Sequence, residues 1–106
     1  MSNKEMIMYP RVPQTDADVR HRILEITGDE NSAVIFPTGY PKAFIGVWYN
    51  GDGEPSAVYS KQDMTTTLMT EDKMDYEEAV EFLEFNTFNT HISDCCNPIY
   101  IDTYEH

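Results

Sequence analysis

Two strand-forming runs separated by a tight turn constrain the fold of this chain more than any other feature. Residues 43–49, Ala-Phe-Ile-Gly-Val-Trp-Tyr, are rich in the β-branched and aromatic side chains that favour strands. A dense turn sequence, Asn50-Gly51-Asp52-Gly53, follows, and Ser56-Ala57-Val58-Tyr59 returns as a partner strand. The sequence therefore predicts a β-hairpin over residues 43–59.

The first helix is predicted over residues 15–27. Thr15 can cap its first turn, and Asp18 lies near the positive end of the helix dipole. Gly28 suits a left-handed stop. The side chains expected to face the core recur at i, i+4 and i+7 and are Val19, Ile23 and Ile26.

Two further helices are predicted in the second half of the chain. One begins after Ser60 and ends near Thr70, although three consecutive threonines lower its helix propensity. Its inward-facing side chains are Met64, Leu68 and Met69. The other spans residues 75–86, where Asp75 and Glu78 form a capping box. Its apolar stripe consists of Tyr76, Ala79, Val80 and Leu83.

Two short apolar runs complete the predicted architecture. Residues 33–36, Ala-Val-Ile-Phe, predict a short strand, and residues 98–101, Pro-Ile-Tyr-Ile, predict a last strand beside the hairpin. This order predicts an α+β fold, with a small antiparallel sheet of three to four strands packed against about three helices. Residues 1–106 fit a single domain, with 1–12 as an extended arm and 102–106 as a frayed tail.

The charge of the chain disfavours several classes of partner. It has 7 Lys+Arg and 19 Asp+Glu, a net charge of −12, and residues 61–106 hold three-quarters of the excess. Direct nucleic-acid binding needs clustered basic residues, and the same charge disfavours anionic membranes. We expect neither a signal peptide nor a transmembrane helix. The adjacent Cys95 and Cys96 make no disulfide framework, so we expect a cytoplasmic protein.

Four glutamates on the third predicted helix form the main candidate partner-binding site, and they are Glu77, Glu78, Glu81 and Glu84. Three of them recur at i, i+4 and i+7, and no Lys or Arg follows Lys73. Like charges at i, i+4 destabilise a helix by about 0.2–0.5 kcal/mol per pair, so selection for stability alone would interleave Lys. The pattern indicates a docking face for a basic protein surface. The alternative is a solvated face on an acidic protein.

Aromatic residues indicate a second candidate surface. Simple alternation places Phe44 and Trp48 on one face of their strand and Ile45, Val47 and Tyr49 on the other. Both faces are then apolar. Either the sheet is buried on both sides, or one face contacts a partner or a second copy in a homodimer. We therefore add Trp48 to the partner-binding candidates.

Other residue groupings give only weak indications of chemistry. A Cys/His-rich segment consists of His91, Asp94, Cys95 and Cys96, with His106 further on. Its residue types can bind zinc, but their spacing is not that of a metal site. A Cys–His pair in it could also serve as a nucleophile and its base. The alternative is a turn with a half-buried cysteine. Gly51-Asp52-Gly53 lacks the pattern of a phosphate loop. We therefore expect no catalytic residue, no metal, no cofactor and no enzyme activity.

The second half of the chain carries a family resemblance. Four segments follow one another as they do in a group of short bacteriophage proteins of unassigned function. They are Trp48-Tyr49, Ala57-Val58-Tyr59, the helix Tyr76-Glu-Glu-Ala-Val-Glu-Phe-Leu-Glu-Phe-Asn86 and the strand Asn97-Pro-Ile-Tyr-Ile101. The chain resembles that group over about half its length. It departs from the pattern over residues 87–94, where the group has a Gly-Ala-aromatic-Val-Gly stretch.

The resemblance implies a phage accessory protein that acts in a bacterial host cytoplasm, and it implies that the Asn86 amide closes the end of the helix. With the acidic charge, it leads to one expected function. The chain binds, and inhibits, a host protein with a basic, nucleic-acid-binding surface, as a DNA mimic or anti-defence factor. The alternatives are a structural or assembly component of the virion and, less favoured, a small Cys/His-dependent enzyme.

Overall fold

The computed structural model describes residues 12–30, 33–88 and 96–103. In chain order the elements are α1 (Asp16–Thr27), β1 (Phe44–Tyr49), β2 (Pro55–Ser60), α2 (Lys61–Glu71), α3 (Tyr76–Leu83) and β3 (Ile99–Ile101). A 3-10 turn, Pro41–Ala43, precedes β1, and a π-helical turn, Glu84–Phe88, continues α3. The described residues thus confirm the α+β fold with three helices and a three-stranded sheet.

The sheet is mixed, whereas the sequence predicted an antiparallel one. β1 and β2 form the predicted antiparallel hairpin, and β2 also pairs with β3 in parallel. Ser60 ends β2 and caps α2 directly, because its Oγ accepts the backbone N–H of Asp63 at 3.2 Å. The chain therefore leaves the sheet through α2 and α3 before it returns as β3. A helical crossover of this kind brings a strand back parallel to the strand that it left.

A β-bulge reverses the predicted sidedness of β1. Between Phe44 and Gly46 the strand advances by two residues while its partner advances by one, so Ile45 is the extra residue. As a result, Phe44 is buried in the core and Val47 packs against that core, although the two are three residues apart. Trp48 lies on the opposite face of the sheet. The predicted common face for Phe44 and Trp48 is therefore wrong, because the extra residue shifts the alternation by one.

Residues 33–36 do not form the predicted strand. A backbone hydrogen bond from Ile35 N to Cys96 O at 3.2 Å ties this segment to the chain before β3. Val34 and Phe36 pack against the core, and the guanidinium of Arg20 lies 5.2 Å from the centroid of the Phe36 ring. Burial of these side chains therefore explains why residues 33–36 are apolar although they do not form a strand.

Local capping fixes the ends of α1 as predicted. The Thr15 Oγ1 accepts the N–H of Asp18 at 3.1 Å, and the Asp18 carboxylate accepts the N–H of Thr15 in return. The pKa of Asp18 is lowered, chiefly because its carboxylate also accepts the N–H of Gln14. Gly28 ends the helix in the left-handed region, at φ 70°. Ile26, in the last turn, is 44% exposed, so it is not the core residue that its spacing predicted.

The core is built from all three helices and one face of β2. Its largest fully buried side chains belong to Val19 of α1, Met64 of α2, Leu83 of α3 and Tyr59 of β2. The Tyr59 ring meets the Phe44 ring edge to face, with centroids 5.6 Å apart. This core holds α2 and α3 side by side, and their outer surfaces form the candidate site.

Candidate protein-interaction surface

The glutamates of α3 divide into two groups with different contacts. Glu78 belongs to the helix cap, because its Oε1 accepts the N–H of Asp75 at 3.1 Å while Asp75 accepts the N–H of Glu78 at 2.8 Å. Glu77, Glu81 and Glu84 are exposed and lie along one side of the helix. Glu77 and Glu84 are separated by about 10 Å along the helix axis, at 1.5 Å per residue. We call these three residues the acidic face.

A groove of about 510 Å³ lies between α2 and α3. One wall is formed by Lys61, Thr65 and Met69 of α2, and the other by Tyr76, Val80 and Glu84 of α3. Each set recurs at i, i+4 and i+8, which places it on a single side of its helix. Phe88, Gln62, Asp63, Thr66 and Asp102 complete the lining. We call this feature the α2–α3 groove.

Met69 and Tyr76 were predicted to face the core, but they line this groove. Their side chains are 37% and 63% exposed, respectively. The core sides of α2 and α3 are already occupied by smaller sets of residues, Met64 with Leu68 and Ala79 with Leu83. The repeat of Lys61, Thr65 and Met69 was the sequence signal for this groove. The repeat indicates a groove wall only when the helix that packs beside α2 is known.

The end of α3 is reshaped by a π-helical turn. The Asn86 Nδ2 donates a hydrogen bond to Phe82 O at 3.0 Å, as the resemblance implies, but the helical path continues to Phe88. Phe88 then packs against the ring of Tyr100, with centroids 4.9 Å apart, and receives the Lys61 ammonium at 5.3 Å from its own centroid. The π-helical turn thereby closes one end of the groove.

The chain after β3 is bonded to α2 near the same end. Thr103 N donates to Gln62 Oε1 at 2.7 Å, and Gln62 Nε2 donates to Asp102 Oδ1 at 3.2 Å. The hydroxyls of Thr103 and Ser60 are 3.0 Å apart. These contacts differ from the predicted fraying from residue 102 onward, and they fix a carboxylate at the groove. Residues 104–106 lie outside the described residues.

Trp48 is not part of this surface. It lies on edge strand β1, on the sheet face opposite the core, and 53% of it is exposed. It does not line the α2–α3 groove. The structure therefore brings the acidic face and the groove together and leaves Trp48 as a separate exposed group.

The buried Tyr40 and Tyr59 and the half-buried Tyr100 form a cluster that the sequence did not indicate as a unit. Burial raises the pKa of Tyr100 to about 12 and also raises the pKa values of Tyr40 and Tyr59. The negative charge of Asp16 raises the pKa of Tyr59 further. The Asp16 carboxylate itself accepts the backbone N–H of Gly39 at 3.0 Å. The Tyr59 hydroxyl is buried and bonds to none of the described residues. All three phenols therefore stay protonated near neutral pH.

Three backbone N–H groups of the hairpin turn are already bonded inside the turn. Asn50 Oδ1 accepts the N–H groups of Asp52 and Glu54 at 2.8 and 3.0 Å, and Asn50 O accepts that of Gly53 at 2.9 Å. Because these donors are already used inside the turn, Gly51-Asp52-Gly53 acts as a structural turn.

Most of the Cys/His-rich segment lies outside the described residues, including His91, Asp94, Cys95 and His106. Cys96 is described, and it is buried with a φ of 65°. Within residues 12–30, 33–88 and 96–103, no group of three or more His, Cys, Asp or Glu is placed to hold a metal ion.

The described helices are all too short or too polar to cross a membrane. Comparison of the chain with protein-family models, with curated proteins and with solved structures found no match.

Proposed function

We propose that this chain is a small acidic accessory protein, of the bacteriophage type that its sequence resembles. It acts in the host cytoplasm, where it binds and inhibits a protein with a basic, nucleic-acid-binding surface. The acidic face is the contact, and it takes the place of DNA phosphates on that surface.

The observation that carries this proposal is the exposure of Glu77, Glu81 and Glu84 on one side of α3. Neither Glu77 nor Glu81 forms an ion pair with a described residue. Repulsion between such neighbours destabilises a helix by about 0.2–0.5 kcal/mol per pair. A basic partner converts this repulsion into attraction and is steered toward the face from a distance.

The test is a pull-down from bacterial lysate with the tagged chain at low and high salt. The variant replaces Glu77, Glu81 and Glu84 by Lys. A matched control replaces three exposed acids away from α3 by Lys, and these are Asp29, Glu30 and Asp52. Both variants change the net charge equally.

We expect the wild type and the control to capture one host protein stoichiometrically at low salt, and the acidic-face variant to lose it. High salt should weaken the capture, because it screens exposed charges beyond about 10 Å. Equal capture by all three proteins, or capture that does not depend on salt, would refute the proposal.

The exposed Trp48 favours a second candidate, a structural or assembly component of the virion. It lies on β1, an edge strand of the sheet that the described residues form, and strand edges are templates for association with another chain. Multimers at micromolar protein that dissociate on the substitution Trp48→Ser would support this alternative.

A further inference from the structure

The α2–α3 groove has chemically different ends. Met69 and Tyr76, which flank the short connection between the two helices, give one end an apolar lining. Glu84, Asp102 and Lys61 line the other end, beyond Val80. A ligand that fits both ends must therefore present an apolar group and a charged group along one line.

We propose that the α2–α3 groove binds a basic amphipathic helix of the partner protein. An apolar side chain of that helix occupies the Met69–Tyr76 end, and a Lys or Arg lies at the Glu84–Asp102 end. This inference rests on the proposed function and names the segment of the partner that meets the acidic face.

The dimensions of the walls fit a helical segment. Lys61 and Met69, like Tyr76 and Glu84, are eight residues apart and thus separated by about 12 Å, at 1.5 Å per residue. This length matches two to three turns of a bound helix. Such helices present apolar anchors at i, i+3 or i+4, and i+7.

Charge complementarity determines the sign of the charge on the bound segment. Three carboxylates line the groove, from Asp63, Glu84 and Asp102, against one ammonium group, that of Lys61. Successive residues of an α-helix are rotated by about 100°, so Glu77 and Glu81 follow directly beside the stripe of Tyr76 and Val80. The acidic face is therefore a rim of the groove, and a helix in the groove lies within reach of it.

The probe is a synthetic peptide of about 15 residues, near the length at which an isolated helix becomes marginally stable. It carries Leu at i, i+4 and i+7 and Lys at the remaining polar positions. A second peptide has Ser at the Leu positions and the same charge. Binding is followed by fluorescence anisotropy, and the contact is located by amide chemical-shift changes in the labelled protein.

The groove variant combines Met69→Gln and Tyr76→Ser, at two exposed positions that leave the core intact. Its matched control combines Ile45→Gln and Phe85→Ser, which are exposed positions outside the groove lining. Thermal unfolding of both variants verifies that the fold persists.

We expect the Leu peptide to bind at least about tenfold more tightly than the Ser peptide, because it buries an apolar side chain that the Ser peptide lacks. The shift changes should lie along α2 and α3. The groove variant should bind both peptides with the affinity of the Ser peptide, and the control should behave as wild type.

Equal affinity for the two peptides would overturn the groove proposal. Amide chemical-shift changes centred on the sheet face opposite the core would also overturn it. The proposed function would still stand in that case if the acidic-face variant loses the host protein. Conversely, a Leu preference that the groove variant abolishes, with host-protein capture unaffected by the acidic-face substitutions, would support the groove and refute the proposed electrostatic contact.

Discussion

The ammonium nitrogen of Lys61 lies 5.3 Å from the centroid of the Phe88 ring. The contact joins the first residue of α2 to the last residue of the π-helical turn that continues α3. It also places a positive charge at the acidic end of the α2–α3 groove. Lys61 therefore stabilises the helix pair while it reduces the attraction of the groove for a basic ligand.

The substitution Lys61→Gln should separate these two effects. Loss of this half-buried cation–π contact should lower the free energy of unfolding by about 0.5–1 kcal/mol. The more negative groove should bind the basic Leu peptide several-fold more tightly. Chemical denaturation and anisotropy measure the two quantities. The control, Lys42→Gln, removes the same charge at an exposed site outside the groove lining, and equal effects from both variants would contradict this role of Lys61.

The Tyr59 hydroxyl predicts a stabilising substitution. It is buried without a hydrogen bond to any described residue, and an unsatisfied buried polar group costs about 1–3 kcal/mol. The change Tyr59→Phe keeps the ring contact with Phe44 and removes the hydroxyl. We expect a gain of about 1 kcal/mol, or roughly 4–8 °C in Tm for a domain of this size. A loss of stability would mean that the hydroxyl has a partner, such as a bound water.

The buried tyrosines predict unfolding at alkaline pH. An unfolded tyrosine titrates near pH 10, whereas burial raises the pKa of Tyr100 to about 12 and that of Tyr59 further. The folded state therefore holds its phenolic protons more tightly. Its stability is fully present below about pH 10 and falls as the pH rises toward 12, by up to about 1.4 kcal/mol per pH unit for each tyrosine.

Denaturant titrations from neutral pH to about pH 11 measure this loss, and near-ultraviolet absorbance follows phenolate formation. The variant Tyr100→Phe should show a shallower decline, because one buried phenol is gone. A stability that stays constant above pH 10 would contradict the raised pKa values.

The cap of α3 is expected to control the order of the acidic face. Asp75 accepts the N–H of Glu78 at 2.8 Å, and this eight-residue helix is too short to be stable without its caps and packing. The change Asp75→Ala should destabilise the protein by about 1 kcal/mol. Asp75→Asn should cost little, because Asn is an equally good capping residue. Equal losses in both variants would point to the charge of Asp75, and not to its hydrogen bond, as the source of stability.

Features set by neighbouring residues could be predicted from the sequence. The three helices are capped by Thr15, Ser60 and Asp75. In each cap, a side-chain oxygen accepts the backbone N–H three residues later, so the hydrogen bond forms without any distant part of the chain. The hairpin followed from turn chemistry in the same way. The acidic face was also foreseeable, since its spacing depends only on helix geometry.

Features set by distant residues could not be predicted in this way. The bulge at Ile45 depends on how β1 registers with β2, and it moved Trp48 away from the core face. The parallel pairing of β3 depends on the crossover through two helices. Likewise, Met69 and Tyr76 look like core residues until the packing of α2 against α3 is known.

The acidic face should show opposite effects on stability and on binding. In wild type, Glu77 and Glu81 repel each other at i, i+4, and Glu81→Lys replaces this repulsion by attraction in the favourable order, with the acid N-terminal. Each contribution is about 0.2–0.5 kcal/mol, so the variant should gain roughly 0.4–1 kcal/mol in unfolding free energy. The same change should weaken binding of the basic Leu peptide and of the host protein. Denaturation and anisotropy on one sample provide both values. A variant that is more stable and binds as well as wild type would assign the acidic face to solvation alone.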